Sequence, residues 1–426
     1  MKPRWQRRVC LLLSVWVTAC AAQTPLEREL QAIVDDPVTG MASLSVLAVR
    51  QGRVAYQGQF GHRSIDPATP GLSKPATAAT LYRIASVSKF VTTLGVMRLV
   101  EEGVLSLDRD VGDYLGDRLR NPAFPGQAVT LRMLLSHTSS LRDDAGYFWA
   151  AGTSLAAGMQ ARPGAWDQQR PPGAWFSYSN LNWGVIGTVM EAATGRRFDQ
   201  LMHALVLAPL ELEGGFNVSA LSPASVDNIA TLYRKRAPDG PWFAQVDDYS
   251  SARPLPPPGL DQYRIGSNGT VFSPTGGLRM SAADLGKIML MLLAQGQASG
   301  RQFLQPATVA AMFSTQWRYD SAAPNGDTDH GLFTRWGLGV QHFGSDGSML
   351  VADGSFPAAG HLGEAWGLYS VFAVDIDRRN GMVVLIGGTA SDPSTTPGSY
   401  SSLTVQEERV LTAIHQRVLR PPATRN

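Results

Sequence analysis

The sequence predicts an α/β protein in which strands from both ends of the chain flank a helical middle. Three observations carry this. Apolar, strand-like runs occupy residues 42–60 near the N-terminus. Others recur at 337–343, 368–375 and 382–387 near the C-terminus. From about residue 105 to residue 210 the signals are mostly helical. A length of 426 residues suggests two lobes rather than one core.

Leu26 to Val34 reads as a short helix, and Ala42 to Val49 and Arg53 to Phe60 as strands around the hairpin signal Arg50-Gln51-Gly52. A longer helix runs from about Ser86 to Glu102. Val87, Phe90, Val91, Leu94 and Met97 give it an amphipathic stripe, and Gly103 stops it. Thr130 to Ser136 and Leu181 to Ala193 are further helices, the second closed by Gly195. Between about Ser219 and Phe272 the pattern weakens. Pro254, Pro256, Pro257 and Pro258 interrupt regular structure there, which predicts surface excursions walling a cleft. Ser281 to Gln295 is helical again, with Ser281 as N-cap and Asp284 completing a capping box. Gly337 to Phe343, Leu368 to Asp375 and Met382 to Gly387 are strand-like, and Val405 to Leu419 closes the chain as an amphipathic helix. No internal repeat is visible.

The first 22 residues read as a secretory leader. Lys2, Arg4, Arg7 and Arg8 precede the apolar run Val9 to Ala19, which is too short to span a bilayer. Val17-Thr18-Ala19-Cys20 resembles a bacterial lipobox, which would make Cys20 a lipidated N-terminus and membrane tether; plain cleavage after Ala21 or Ala22 is the competing expectation. Either predicts an exported, periplasmic or lipid-anchored protein. The two cysteines, Cys10 and Cys20, both lie in this leader, so a mature chain has no internal disulfide and no cysteine nucleophile. A net charge of +2 with 17% charged residues argues against a nucleic-acid partner. The seven histidines show no metal-ligand spacing.

The chemistry points to Ser86-Val87-Ser88-Lys89, at the boundary where irregular chain becomes helix. Unpaired backbone N–H groups and the positive end of the dipole favour an oxyanion there. Lys89 is about one turn on, so its amine can reach the Ser86 hydroxyl. The competing reading is a capping serine with a surface lysine. Tyr178-Ser179-Asn180 lies between the turn Pro171-Pro172-Gly173 and the helix from Leu181. Its phenol can take a proton if a lysine lowers its pKa, and its amide can position that lysine and a carbonyl. A turn tyrosine with a capping asparagine competes. Gly360-His361-Leu362-Gly363 is a glycine-rich strand edge whose backbone can approach a substrate and supply an oxyanion donor. An ordinary loop histidine competes. No Gly-x-Ser-x-Gly elbow occurs.

Together these motifs resemble the serine β-lactamase and penicillin-recognising superfamily, whose set is Ser-x-x-Lys, a Tyr- or Ser-x-Asn motif and a Lys-Thr-Gly-type triplet. The Tyr-x-Asn form is similar to the class C β-lactamase-like branch, with its family VIII carboxylesterases and D-amino-acid peptidases. Leu134-Leu135-Ser136-His137-Thr138-Ser139-Ser140-Leu141 resembles that branch's Leu-Leu-x-His-Thr-Ser-Gly-Leu segment. Thr194-Gly195, Pro209-Leu210, Gly276-Gly277-Leu278 and Ala283-Asp284-Leu285 follow in the same order. The resemblance implies a β-lactamase/transpeptidase-like antiparallel sheet flanked by helices, in an α/β domain of residues 23–104 and 275–426. A helical domain of residues 105–274 is inserted, and the cleft lies between the two.

The resemblance also implies a serine hydrolase working through an acyl-enzyme, without a cofactor. Ser86 attacks, Lys89 and Tyr178 share the base role, and Asn180 orients the acyl group. The N–H groups of Ser86 and Glu364 hold the oxyanion beside Gly363, and Tyr178 or His361 assists water. His137 belongs to a structural helix-end motif. The triplet departs from the family pattern as His361-Leu362-Gly363. Loss of a fixed charge and a hydroxyl weakens recognition of penicillin-like anions, and an inward Glu364 side chain would do the same. A carboxylesterase or related acyl hydrolase acting on a small-molecule ester or amide is therefore favoured. The alternatives are a lactam-hydrolysing class C-type β-lactamase, a D-amino-acid peptidase, and a catalytically silent binding protein on the same fold.

Overall fold

The computed structural model describes residues 23–116, 119–344 and 347–420. The leader and Cys20 lie outside the described residues.

A nine-stranded antiparallel sheet forms the centre, and both chain ends build it. Its strands are β1 (Ser43–Arg50), β2 (Arg53–Ser64), β3 (Lys74–Pro75), β4 (Trp317–Arg318), β5 (Arg335–Trp336), β6 (Gln341–Phe343), β7 (Ala358–Ala365), β8 (Leu368–Asp375) and β9 (Asn380–Ile386). The spatial order is β4-β5-β6-β7-β8-β9-β1-β2-β3. The central strands are covered on both faces, so their side chains alternate between two apolar layers. Leu44, Val46 and Ala48 of β1 join Val371 and Val384 beneath two helices, α1 (Pro25–Val34) and the C-terminal Val405–Ile414. Leu47 and Val49 face the opposite layer with Phe372, Val383 and Leu385.

That second layer contains α2 (Val87–Glu101) and a helix at Ala282–Leu293. The apolar stripe of α2 predicts one buried face, yet it is buried on nearly every side, Lys89 included. It lies between the sheet and the helical segment, so its polar side chains must find partners inside. The Thr92 hydroxyl donates to Pro274 O (3.1 Å), the Thr93 hydroxyl to Lys89 O (2.8 Å), and Ser88 Oγ accepts from Leu278 N–H (3.2 Å). One apolar cluster continues from this layer through Leu134, Trp183 and Phe198, so the sheet and the helical segment share a core.

The helical segment includes α3 (Leu131–Leu135) and α4 (Leu181–Thr194). Beyond residue 210 it gives way to short pieces, including a strand pair at Leu232–Arg234 and Phe243–Val246. Two expectations change in detail. Gly337 to Phe343 is not one strand: Gly339 turns at φ 62° against Thr93, and β5 and β6 pair across that turn. Ser281 caps its helix by accepting from Asp284 N–H (3.0 Å), but the Asp284 carboxylate takes the Ser281 hydroxyl (2.9 Å) instead of closing a capping box.

Candidate active site

Ser86 is the N-cap residue of α2, but its side chain makes no capping hydrogen bond. Ala85 before it has φ 45°, a conformation non-glycine residues seldom adopt. This sharp turn after Ile84 leaves the Ser86 hydroxyl facing the cleft. Lys89 is 0% exposed. Its Nζ lies 2.8 Å from Ser86 Oγ, 2.8 Å from Asn180 Oδ1 and 2.9 Å from Thr275 O. Burial pulls the Lys89 amine down to about 7, against a smaller opposing pull from the Asp143 carboxylate. A neutral amine here donates its two N–H groups to Asn180 and Thr275 and turns its lone pair to Ser86.

Tyr178 lines the cleft with the same serine, from the chain that leads into α4, and its phenol interacts with the Ser86 side chain. Its ring is clamped between His137 (centroids 4.4 Å apart) and Phe333 (5.1 Å), with Trp336 edge-on. Burial raises the phenol's pKa, and the Asp143 charge adds to the rise, outweighing the Ser86 hydrogen bond. The expectation of a lysine-lowered phenolate thus runs against the electrostatics of the site. His137 is a buried spacer: its Nδ1 accepts from Ser179 N–H (3.0 Å), and its ring stacks behind Tyr178.

Asn180 is an N-cap residue that does not cap, since its side chain serves the site. Oδ1 takes Lys89 and the Thr275 hydroxyl (2.8 Å), while Nδ2 donates to Asp143 Oδ2 (2.9 Å). The α4 start is instead satisfied by Asp143, which accepts from the N–H groups of Asn180 (2.9 Å) and Leu181 (3.0 Å) and from the Ser179 hydroxyl (2.8 Å). Sequence reasoning missed Asp143 and Thr275. The one signal pointing to Asp143 is indirect: a helix start whose N-cap side chain is needed elsewhere requires an acceptor from another segment.

His361 and Gly363 lie on β7 beyond its last pairing with β6 at Gly360, where that edge of the strand opens to the cleft. Gly363 packs against the nucleophile turn. A Cβ there would come within 2.5 Å of Ser370 Oγ, 2.8 Å of Ile84 O and 2.9 Å of Ser86 N. His361 is buried and held to about 3 by desolvation, with the Lys89 charge second. Its Nδ1–H donates to Leu362 O (2.5 Å), leaving Nε2 as a lone pair. Leu362 packs toward the layer beneath α1. The Glu364 side chain does not point at Ser86. It accepts from the Tyr369 hydroxyl (3.1 Å) and lies 3.9 Å from Arg234 on the far wall. The cleft holding these groups measures about 970 Å³.

An antiparallel sheet carrying a serine-bearing helix, with a helical segment across the cleft, is a β-lactamase/transpeptidase fold. The chain belongs to the beta-lactamase family, whose model matches residues 30–402. Penicillin-binding protein 4* of Bacillus subtilis (strain 168) is 29% identical over 197 residues, 44% of this chain and 41% of that protein. Esterase EstB of Burkholderia gladioli is 30% identical over 217 residues, 46% of this chain and 52% of the esterase. The chain thus matches less than two thirds of either relative's length. The crystal structure of D-amino acid amidase from Ochrobactrum anthropi SV3 complexed with L-phenylalanine shares the fold. Its TM-score is 0.65 at 19% identity, over 92% of this chain and 99% of that one.

Proposed function

We propose that this protein is a serine hydrolase that forms an acyl-enzyme on Ser86. One observation carries the reading: a fully buried lysine, drawn down to about 7, has its Nζ 2.8 Å from the hydroxyl of a serine in the cleft. A silent binding protein has no use for a desolvated amine aimed at a serine. Lys89 takes the Ser86 proton as Oγ attacks the carbonyl carbon. The N–H groups of Ser86 and Glu364, brought together by Gly363, receive the oxyanion. Tyr178, a neutral phenol against Ser86, protonates the leaving group and is recharged from Lys89. Water then cleaves the acyl-enzyme with the same amine as base, since His361 at about 3 is too weak to share that role.

The substrate class favoured is a small ester or acyl amide. His361 is neutral where the family's triplet has a cation, and Leu362 has no hydroxyl to offer. The esterase among the relatives supports the same class. The test is to treat the protein and Ser86→Ala with a fluorophosphonate, p-nitrophenyl butyrate and a chromogenic cephalosporin. Labelling and butyrate turnover by the parent alone are expected. Absence of both sinks the enzyme reading, and faster cephalosporin turnover moves the substrate class to lactams.

Export follows from the leader. With a cleaved leader, intact mass of protein recovered from the envelope should show an N-terminus at Cys20 carrying lipid, or one just after it. An uncleaved Met1 in that material would refute export through this segment.

A further inference from the structure

Two arginines line the cleft, and they differ. Arg234 lies 3.9 Å from Glu364. Arg83, three residues before Ser86, has no carboxylate partner among the described residues. Its guanidinium lies 4.4 Å from the centre of the Trp366 ring, and its Nε is buried without an acceptor. The carboxylate whose charge acts on it is already taken: Asp247 is bound in a fork by Arg279 (2.6 and 3.0 Å) and also accepts from the Tyr249 hydroxyl (3.1 Å). Two cleft acids on other walls are likewise engaged, Asp327 by Arg142 (3.2 Å) and Glu407 by Thr404 (2.8 Å). A desolvated cation beside a second arginine is costly unless something supplies the missing anion.

Trp366 is held for this contact at a cost. With Gly367 it forms the two-residue turn between β7 and β8, and both residues have positive φ, 49° and 90°. Asn or Asp followed by Gly is the usual choice in such a turn; a large aromatic at its first position is strained. Trp366 is nevertheless 45% exposed, lining the cleft with Arg83. A guanidinium packed against an indole can still present its terminal N–H groups to a carboxylate, a charge-assisted contact.

We propose that Arg83 and Trp366 form a carboxylate-binding subsite that reads an acid group carried by the substrate. The proposal deepens the acyl-enzyme reading and rests on it. Three residues span at most roughly 10 Å between Cα atoms, so the acid and the carbonyl attacked by Ser86 belong to one small substrate. Recognition of anionic substrates, absent from the triplet at 361–363, is transferred to Tyr82–Arg83, the short strand that leads into the nucleophile turn.

Matched esters test this. Mono-p-nitrophenyl glutarate against p-nitrophenyl butyrate places the acid on the acyl side; 4-acetoxybenzoate against phenyl acetate places it on the leaving side. The parent should prefer the acid of at least one pair. In Arg83→Gln the kcat/KM ratio of acid to neutral ester should fall by about tenfold or more, as for loss of a charge-assisted bond. Arg83→Lys should fall between, and Trp366→Ala should lower the ratio with an unchanged melting temperature. Calorimetric binding of the glutarate ester to Ser86→Ala, with and without Arg83→Gln, separates the two claims. If the parent hydrolyses no ester but this binding still depends on Arg83, the subsite stands and the hydrolase reading falls. A ratio unchanged by Arg83→Gln, or binding indifferent to it, overturns the subsite.

Discussion

Replacing Lys89 by Met should abolish most activity while leaving the protein no less stable. A positioned general base contributes about 10²–10⁴-fold, so kcat/KM should fall by roughly 10³-fold or more. Stability should not fall with it, because methionine fills a similar volume and removes a desolvated amine from a site that is 0% exposed. Thr275 O loses a donor, while Asn180 Oδ1 keeps the Thr275 hydroxyl. The sign of the pH effect follows from the same burial. The folded amine titrates near about 7 and an unfolded lysine near about 10.4, so between those values the unfolded chain binds the extra proton. The lysine's contribution to stability therefore rises with pH across that window, and Lys89→Met should remove the slope. In the parent, kcat/KM should climb through a limb near pH 7. Lys89→Arg decides between the two bases. A guanidinium stays charged, so it would preserve a phenolate mechanism at Tyr178 but not one that needs a neutral amine. Near-parent activity in the Lys89→Arg variant would move the base to Tyr178.

What was legible in the sequence is what local geometry encodes. Ser86 with Lys89 is a short motif at a helix start, where one turn of helix fixes the relation; Tyr178 with Asn180 is two residues apart in the chain that leads into the next helix. The sheet was legible because central strands buried on both faces need nearly continuous apolar runs, as Leu44 to Val49 and Leu368 to Val374 supply. What was not legible depends on distant segments. Periodicity assigns α2 one buried face, and only the helical segment packed on its other side explains why Ser88, Thr92 and Thr93 are inside. Gly339 breaks an apparent strand because Thr93 leaves no room for a side chain. Whether the Glu364 side chain turns inward is settled by its neighbours in space, Tyr369 across the hairpin and Arg234 from a distant segment. Arg83 and Asp143 have ordinary sequence neighbours. Their importance comes from what surrounds them: a cation left without a carboxylate, and a carboxylate with more donors than a loop residue needs.

Asp143 supplies the second large effect. Its four bonds, from Ser179 Oγ, Asn180 N, Asn180 Nδ2 and Leu181 N, tie the Tyr178 loop to the start of α4. Asp143→Ala leaves three backbone or amide donors and a hydroxyl without an acceptor. Bonds to a charged group contribute about 1.5–3 kcal/mol, and water replaces part of the loss, so a destabilisation of ~3 kcal/mol is expected in denaturant titration. Activity should drop about 10²-fold or more, since Asn180 would no longer hold Lys89 in place. A purely architectural residue would give the same result, so Asp143→Asn is the discriminating variant. It keeps the shape and one acceptor oxygen but removes the charge. That charge favours the protonated form of Lys89 and raises its pKa against desolvation. Removing it lets desolvation act unopposed, so the Lys89 limb in the pH profile of kcat/KM should move below its parent position near 7. The plateau should fall as well, because a weaker base draws the Ser86 proton less effectively. A limb that stays in place or moves upward would show that Asp143 acts only as a tether, and that the field at Lys89 is set by other groups.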